Sequence, residues 1–467
     1  MTGHGGVEIR GLGAPLSSLK EGRFGRMFRN PSLQPLDPGI DAINALVKLM
    51  RDASQTASGD NAKIPAGYTY FGQFVDHDIT FDPLSVLQKA NDPDALVDFR
   101  TPRFDLDSLY GGGPADSPYL YDSQSPSNRG VKLLVGHNDE DKGFERDDLP
   151  RNQQGRALIG DPRNDENLIV SQLQLLFIRF HAKVVDHVRK ATSLEGADLF
   201  AEAQRVVRWH YQWIVTHDFL NRVAGKAAAD AAFAGRQFFT WTNEPFMPVE
   251  FSGAAYRFGH SMVREIYDLN EAIQEIPIFA AADKPGPLEH LGGFRRLPAF
   301  WSVDWSFFFN ISSRKPQLSR KLDTKLSPPL HKLPTGVDGG RHSLAQLNLR
   351  RGRALGLPSG QDVAGAMGVA PIAANDLGLN SIDLPAAGKA KIKAATPLWY
   401  YLLREAELGG AASLGPVGGT IVAEVLVGLL QGDPLSYISQ RPTWKPELPG
   451  AKAGDFTLPD LVKFTLG

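Results

Sequence analysis

Four polar side chains cluster in the segment FGQFVDHDITFDP, namely Gln73, Asp76, His77 and Asp78. An imidazole with an ordinary pKa of about 6.5 can take up and release a proton near neutral pH. The flanking aromatic residues predict partial burial of the cluster, and a buried carboxylate needs a partner or a metal ion. Triplets of this kind more often form a solvated turn, so the segment alone leaves both interpretations open.

Oxygen-bearing side chains alternate in the segment TPRFDLDSLYGGG, at Thr101, Asp105 and Asp107. Alternating oxygen donors suit a hard cation such as calcium, which takes six to eight oxygen ligands. The spacing is not that of an EF-hand, because the loop glycine and the distal glutamate are absent. A plain acidic turn is therefore the simpler interpretation of this segment taken alone.

Two further segments place charged side chains three residues apart, which puts them on one face of a helix. GDPRNDEN contains Arg163 and Glu166, and AAYRFGHSMVRE contains Arg257 and His260. For the first pair, taken alone, an intrahelical ion pair is the better explanation. A single histidine on a partly apolar helix is more often a core residue than a metal ligand.

Composition narrows the functional classes. The chain of 467 residues has no cysteine, which excludes disulfides, thiolate nucleophiles and iron–sulfur clusters. A formal net charge of -2 gives no basic field for nucleic acid. The most apolar stretch, residues 421–430, is too short to span a membrane, which takes about 20 residues. The N-terminus lacks the pattern of a signal peptide, so we predict a cytoplasmic location by default.

Hydrophobic periodicity predicts a mainly α-helical fold with little β-structure. Helices are expected over residues 41–52, from the N-terminal signal Asp161-Pro162 through a long apolar run, and over 196–222, 252–267, 342–354, 396–407 and 416–431. Residues 1–35 are predicted to form an extended arm, and residues 36–467 a single large domain. Residues 84–156 form a long irregular connection, a feature that is usually functional.

Taken together and in order, these segments resemble the animal heme peroxidases, the peroxidase-cyclooxygenase group that includes myeloperoxidase and lactoperoxidase. The pattern runs through GQ, DHD, the TPRFDLDSLYG loop, GDPRNDE, RFGH and an LNLRR run, and then a C-terminal helix from Gly415-Pro416. The resemblance spans residues 65–437. It implies a bacterial-type, disulfide-free member whose single helical domain is built around a buried heme b.

The resemblance assigns roles to the candidate residues. It implies that His260 is the proximal ligand of the heme iron and that His77 is the distal histidine that handles hydrogen peroxide. Arg163 then matches the distal arginine, whose charge would stabilise the departing oxygen. Gln73 matches the distal glutamine that holds water or halide. Asn348 matches the asparagine that accepts the other ring N–H of the proximal histidine.

The remaining assignments concern the porphyrin edge and the cation. Arg257 and Arg351 match positions near the heme propionates. Asp76 and Glu166 match the carboxylates that are ester-linked to heme in mammalian members, so the same links are a possibility here. The resemblance also favours calcium over an acidic turn, with the following ligands: Asp78, Thr101, Asp105, Asp107 and the carbonyl of Arg103.

The chain departs from the family pattern in two places. RALG replaces RDHG after Asn348, with Ala354 and Leu355 in place of an acid and a histidine, which puts any role of those residues in doubt. Arg257 stands where cyclooxygenase-type members and fatty-acid dioxygenases carry a radical-forming tyrosine. That substitution argues against lipid oxygenation.

The function implied is reduction of hydrogen peroxide, with oxidation of small anions (halide, thiocyanate) or aromatic donors through a ferryl intermediate. One alternative is a heme fatty-acid dioxygenase using another tyrosine, Tyr256 or Tyr400. A second alternative, from a different class, is a heme- and calcium-binding protein with little turnover. The sequence does not decide the oligomeric state.

Overall fold

The fold was examined in a computed structural model, which describes residues 22–30, 33–52, 56–81, 97–137, 147–280, 286, 288–334 and 343–467. The predicted N-terminal arm, residues 1–35, lies outside the described residues except for 22–30 and 33–35. Part of the predicted connection over 84–156 also lies outside them.

The described part of the chain is mainly helical, as predicted. Its α-helices are α1 (Ile40–Leu49), α2 (Gly67–Ile79), α3 (Asp107–Tyr110), α4 (Leu168–Ala191), α5 (Gly196–Trp213), α6 (Leu220–Val223), α7 (Lys226–Ala234), α8 (Val249–Gly253), α9 (Leu344–Ala354), α10 (Gly360–Ala366), α11 (Ala386–Ala394), α12 (Leu398–Leu408), α13 (Pro416–Gly432), α14 (Tyr437–Gln440) and α15 (Leu458–Leu466). A π-helix (Ile214–Phe219) joins α5 to α6. Shorter 3₁₀ helices include Pro162–Asp165 and Ala255–Met262, and both carry site residues.

The strands are short and peripheral, and they are β1 (Gly22–Gly25), β2 (Asp60–Pro65), β3 (Val97–Asp98), β4 (Gly136–His137), β5 (Asp147–Asp148), β6 (Met247–Pro248), β7 (Ile266–Tyr267), β8 (Ile276–Pro277) and β9 (Leu318–Arg320). One sheet has the order β3-β1-β6, in which β1 runs antiparallel to β3 and parallel to β6. The other described strands form the antiparallel pairs β2–β9, β4–β5 and β7–β8.

The core that supports the site is centred on α4, which packs against α2, α5 and α15. Aromatic rings fill the space between these helices. Phe74 on α2 stacks on Phe177 of α4 with ring centroids 4.7 Å apart, and Tyr211 of α5 meets Phe177 edge-on at 5.8 Å. Such pairs contribute about 0.5–1.5 kcal/mol beyond the burial of their area. They hold α2 in a fixed position, and α2 carries His77.

Helix α4 is long and apolar enough to cross a membrane by length and composition alone. However, 83% of its most apolar window is buried inside the protein. Burial on most sides is what a central core helix requires, because a helix that is apolar all round must be covered by other elements. No other described helix meets the same length and composition criteria.

The start of this long helix differs from the prediction. Asp161 and Pro162 begin a 3₁₀ turn, and α4 itself begins only at Leu168. The break falls at Asn167, whose backbone is extended (φ -135°, ψ 140°) and whose side chain accepts the N–H of Ile169 as an N-cap. Arg163 and Glu166 therefore do not share a face of α4.

The other predicted helices agree with the structure to different degrees. The segments over 41–52, 396–407 and 416–431 correspond to α1, α12 and α13, and 342–354 corresponds to α9 as far as it is described. The segment over 196–222 continues through the π-helix into α6. The predicted helix over 252–267 is wrong as a single element, because α8, a 3₁₀ helix and β7 share that stretch.

Candidate active site

His77 lies in the last turns of α2 and is only 5% exposed. Its Nδ1 lies 2.7 Å from Oδ1 of Asn164, a fully buried residue of the 3₁₀ helix. Its other ring nitrogen, Nε2, faces Oε1 of Glu166 at 3.8 Å, which is beyond hydrogen-bonding distance. One ring nitrogen is thus anchored in the protein interior, while the other faces the partly exposed side chain of Glu166.

Electrostatics keep this imidazole neutral. Burial lowers the pKa of His77, and the positive charge of Arg163 lowers it further. The carboxylates of Glu166, Asp161 and Asp76 act in the opposite direction, but their combined effect is smaller. At neutral pH the ring therefore has a lone pair available, which is the state that a general base requires.

Gln73 and Glu166 lie on the more exposed side of His77. Nε2 of Gln73 donates to Oε1 of Glu166 at 2.6 Å, and the Glu166 side chain is 42% exposed. Gln73 lies one turn before His77 on α2, so both side chains project from the same side of the helix. Asp76, also on α2, accepts a hydrogen bond from Thr80 at 3.2 Å.

Arg163 binds the end of α2. Its Nη2 donates to the carbonyl oxygens of His77 (3.0 Å) and Thr80 (2.8 Å), and its Nε and Nη2 also donate to the carboxylate of Asp161. A cation at a helix C-terminus satisfies free carbonyls and matches the helix dipole. Burial raises the pKa of Asp161, but hydrogen bonding and charge from Arg163, together with the charge of Arg100, lower it to about 2. The guanidinium is therefore held rigidly behind His77.

His260 lies on the 3₁₀ helix Ala255–Met262. Nδ2 of the Asn348 amide, from α9, lies 2.7 Å from Nδ1 of His260, so the predicted acceptance of the ring N–H by Asn348 requires the amide to turn and present its oxygen. No described residue hydrogen-bonds to Nε2 of His260. Burial, and secondarily the charge of Arg257, lowers the pKa of His260 to about 3. Beside it, a Cβ added at Gly259 would meet no atom within 4 Å. The ring is thus neutral and braced on one nitrogen, with the other nitrogen free.

The two histidine-bearing segments are in direct contact. The hydroxyl of Tyr256, on the 3₁₀ helix, donates to the carbonyl of Gly72 on α2 at 3.2 Å. His77 follows Gly72 by five positions of α-helix, and His260 follows Tyr256 by four positions of 3₁₀ helix. The backbone of each histidine therefore lies within about 8 Å of this common contact, measured along its own helix.

These residues fit a heme. A heme site needs a neutral imidazole with a free nitrogen, a second polar face, and cations for the propionates. His260 with Asn348 provides the first, and His77 with Gln73 the second. Arg257 and Arg351 are both partly exposed, and Arg257 is oriented by its Nε, which donates to the carbonyl of Ser252 at 2.8 Å.

The predicted cation ligands also come together. Asp78, Asp105 and Asp107 each offer a carboxylate oxygen within 4.8 Å of the others, although Asp78 comes from α2 and the other two from a separate segment. Oδ1 of Asp107 is buried and accepts no hydrogen bond among the described residues. Thr101 joins the group by donating to Oδ2 of Asp105 at 2.6 Å, and Arg103 follows in the same turn, its N–H bonded to Thr101. An orphaned buried carboxylate oxygen is what a hard cation would satisfy.

Three residues at this site were not identified from the sequence. Asp161 was interpreted only as a helix cap, while Asn164 and Gln174 were not singled out. Gln174 gave a usable signal, because it is an amide within the apolar run of α4 and a buried amide needs partners. Asn164 gave no signal in the sequence, because its partner His77 lies 87 positions away along the chain.

Comparison with known proteins places the chain in a family. The profile described as "Animal haem peroxidase" matches residues 87–377, more than half of the chain. The matched stretch contains Arg163, His260 and Asn348 but begins after α2. The mainly α-helical fold agrees with this family match. The chain belongs to the animal haem peroxidase family.

Individual curated relatives are similar to this chain at low sequence identity. A peroxidasin homologue of Caenorhabditis elegans is 26% identical over 279 residues, which are 56% of this chain and 20% of that protein. A peroxidase-like protein of Margaritifera margaritifera is 27% identical over 387 residues, 70% of this chain and 48% of that protein. Human thyroid peroxidase is 26% identical over 204 residues, 43% of this chain and 21% of that protein. The chain spans less than half the length of these curated relatives.

Solved structures share the fold. Peroxidase A from Dictyostelium discoideum superposes with a TM-score of 0.62 at 16% identity, covering 98% of both chains. The fatty acid alpha-dioxygenase of Oryza sativa superposes with a TM-score of 0.57 at 19% identity, covering 89% of this chain and 76% of that one. At these identities the likeness concerns the fold alone.

Proposed function

We propose that this protein is a heme peroxidase that reduces hydrogen peroxide while oxidising a small donor. One observation carries the proposal. His260 has Asn348 beside its Nδ1 and no hydrogen bond to its Nε2 from the described residues, and it lies on a segment bonded directly to the helix that carries the buried, neutral His77. Two such imidazoles on contacting segments would provide a ligand for the heme iron and a proton-transfer group.

When bound, heme supplies an iron centre that accepts peroxide and takes part in electron transfer. Nε2 of His260 would hold the iron, and Asn348, with its amide turned so that the oxygen replaces Nδ2 beside Nδ1, would accept the ring proton and so fix the tautomer. His77 would take a proton from the oxygen that binds and return it to the oxygen that leaves. Arg163 contributes positive charge behind His77, and Gln73 is placed to hold a water or a halide.

The first experiment is absorption spectroscopy of the purified protein with and without peroxide. We expect an intense Soret band that shifts on addition of peroxide in the parent. His77→Ala should still bind heme but react about 100-fold or more slowly, since a positioned acid–base group contributes roughly 10²–10⁴-fold. His260→Ala should lose the Soret band. His137→Ala, whose side chain is 72% exposed in an ion pair with Asp147, is the control.

The same variants separate this proposal from a protein with little turnover. If His77→Ala reacts with peroxide as fast as the parent, His77 has no role in proton transfer and the chain is better described as a heme- and calcium-binding protein. A parent protein without a Soret band would contradict heme binding altogether.

For the donor we propose a halide, thiocyanate or a small aromatic molecule. Support comes from the open side of the site, where Gln73 and Glu166 meet solvent within reach of His77. Steady-state rates with bromide, thiocyanate and a phenol at fixed peroxide would rank them. A Gln73→Ala variant that loses anion oxidation but keeps phenol oxidation would identify Gln73 as the anion-holding residue, whereas equal losses would contradict that role.

For the acidic cluster we propose calcium, held by Asp78, Asp105, Asp107, Thr101 and the carbonyl of Arg103. Since Asp78 follows His77 directly, the ion would fix the backbone of the distal histidine. Chelation should lower the melting temperature and slow the reaction with peroxide, and added calcium should restore both. Asp107→Asn should weaken calcium affinity, while Asp41→Asn on the distant helix α1 should not. An unchanged melting temperature after chelation would contradict this assignment.

For Asp76 and Glu166 we propose ester links to the heme periphery. Both carboxylates lie on the His77 side, and Glu166 is 3.8 Å from the imidazole. Acid–acetone extraction after exposure to peroxide would release heme from the Asp76→Asn, Glu166→Gln double variant and retain it on the parent. Complete release from both proteins would show that no such links form.

A fatty-acid dioxygenase is the second candidate, because fatty acid alpha-dioxygenases share the fold and Tyr256 is buried between the two histidine-bearing segments. Tyr400 is a weaker choice, since its hydroxyl is committed to the carbonyl of Leu377 at 3.1 Å. Oxygen uptake with linoleate in the absence of peroxide, abolished in Tyr256→Phe, would favour this function. Lack of uptake would leave the peroxidase as the better description.

A further inference from the structure

A chain of buried amides connects His77 to a backbone carbonyl of α3. Nε2 of Gln174 donates to the carbonyl of Ser108 at 3.1 Å, and Oε1 of Gln174 accepts from Nδ2 of Asn164 at 2.8 Å. Oδ1 of Asn164 then lies 2.7 Å from Nδ1 of His77. Both amide side chains are fully buried.

This chain has a fixed direction. A backbone carbonyl can only accept, so the Gln174 amide must present its NH₂ group to Ser108 and its oxygen to Asn164. Asn164 must then present its NH₂ group to Gln174, which leaves its oxygen facing His77. Reversing either amide would place two acceptors or two donors against each other in the absence of solvent. Each buried group left without a hydrogen bond would lower the stability of the folded protein.

We infer that Asn164 and Gln174 are positioning residues that hold His77 in the tautomer with its proton on Nδ1 and its lone pair on Nε2. The inference rests on the proposed peroxidase function for its consequence, since the lone pair then faces the site where peroxide would lose its proton. The 3.8 Å separation between Nε2 and Glu166 agrees with this tautomer, because a proton on Nε2 would favour a shorter contact with a carboxylate.

The tautomer can be observed directly by nitrogen-15 NMR of histidine-labelled holoprotein in its diamagnetic ferrous carbon monoxide form. The parent should show His77 protonated at Nδ1 only. Asn164→Leu should shift protons to Nε2 and slow the reaction with peroxide about 100-fold, the order of a lost acid–base group. Gln174→Leu, which frees the Asn164 amide to rotate, should give a tautomer mixture and a loss of roughly tenfold. The Michaelis constant for the donor should not change.

Gln212→Leu is the matched control. Gln212 is also a buried amide in a long helix, donating to the carbonyl of Phe104 and accepting from the N–H of Tyr437, but no hydrogen bond joins it to His77. We expect a similar loss of stability with the parental tautomer and peroxide rate.

A parent spectrum with the proton on Nε2 would overturn the inference, and so would a Gln174→Leu protein whose peroxide rate equals that of Gln212→Leu. Either result can be distinguished from a failure of the proposed peroxidase function. If the parent binds heme but does not react with peroxide, the NMR spectrum still decides whether the amide chain sets the tautomer.

Discussion

At the scale of single residues, the state of His260 depends on Asn348, a neutral partner. Nδ2 of the Asn348 amide lies 2.7 Å from Nδ1 of His260, and turning that amide would bring its oxygen, rather than a carboxylate, to the ring proton. An amide attracts the ring proton less than a carboxylate does, so the imidazole stays closer to neutral and stabilises ferric iron less. The charge of Arg257, together with burial, also lowers the pKa of His260. Both effects favour a neutral ligand.

The expected result of Asn348→Ala is weaker retention of heme. Loss of such an orienting partner typically costs about 10–100-fold in affinity for the bound metal group. Titration of the heme-free protein with heme, followed by Soret absorbance, would measure the change. Asn44→Ala is a suitable control, because Asn44 is an exposed amide that bonds to Gln346 on the same helix, α9. Equal heme affinities in the two variants would argue against the role of Asn348.

At the scale of elements, the segment carrying Glu166 is held by backbone pairing with a distant loop. The N–H groups of Gly293 and Phe294 donate to the carbonyls of Glu166 and Asp165, and the N–H of Leu168 donates to Leu291. This pairing accounts for the break before α4, since Asn167 is drawn into an extended bridge with Gly292. The loop thereby fixes where Glu166 stands relative to Gln73 and His77.

Gly293→Ala should disturb this pairing. A Cβ at position 293 would lie 1.8 Å from the carbonyl oxygen of Asp165, so one of the two backbones must move. We expect a loss of about 1–3 kcal/mol in the free energy of unfolding, as for overpacked sites, together with slower turnover. Denaturant unfolding and steady-state kinetics would measure both. Gly235→Ala, where an added Cβ meets nothing within 4 Å, should leave both unchanged, and identical behaviour of the two variants would contradict the argument.

At the scale of the whole molecule, buried neutral histidines link folding to pH. Burial lowers the pKa of both His181 and His210 to about 4, and neither side chain is exposed. Nε2 of His210 accepts the N–H groups of Glu447 and Leu448, so a proton there would oppose two donors. His210 therefore joins these distant parts of the chain only in its neutral form.

The sign of the pH effect follows from these values. The folded pKa lies below the ordinary value of about 6.5, so the stabilisation is complete above pH 6.5 and is lost as the pH falls towards 4. Each group contributes a slope of about 1.4 kcal/mol per pH unit within that window. Denaturant unfolding at several pH values should show a steep loss of stability, reduced by about that amount in His210→Gln. His137→Ala should keep the parental slope, and a parental slope in His210→Gln would contradict the assignment.

The sequence by itself determined the helical class and most helix positions, and it predicted the site residues through an ordered series of motifs. Apolar periodicity and residue type are local properties, and an ordered series of motifs keeps its meaning without coordinates. The sequence also predicted the acidic cluster, because Thr101, Asp105 and Asp107 are neighbours in one short segment.

Only the tertiary structure decided how those residues are braced. The interruption between Arg163 and α4 arises from pairing with a loop more than 120 residues away, and a local helix signal cannot report that competition. The amide chain behind His77 and the contact of Arg163 with the end of α2 likewise join remote parts of the chain. Hydrogen-bond direction depends on which donors and acceptors are buried together, and only folding brings them together.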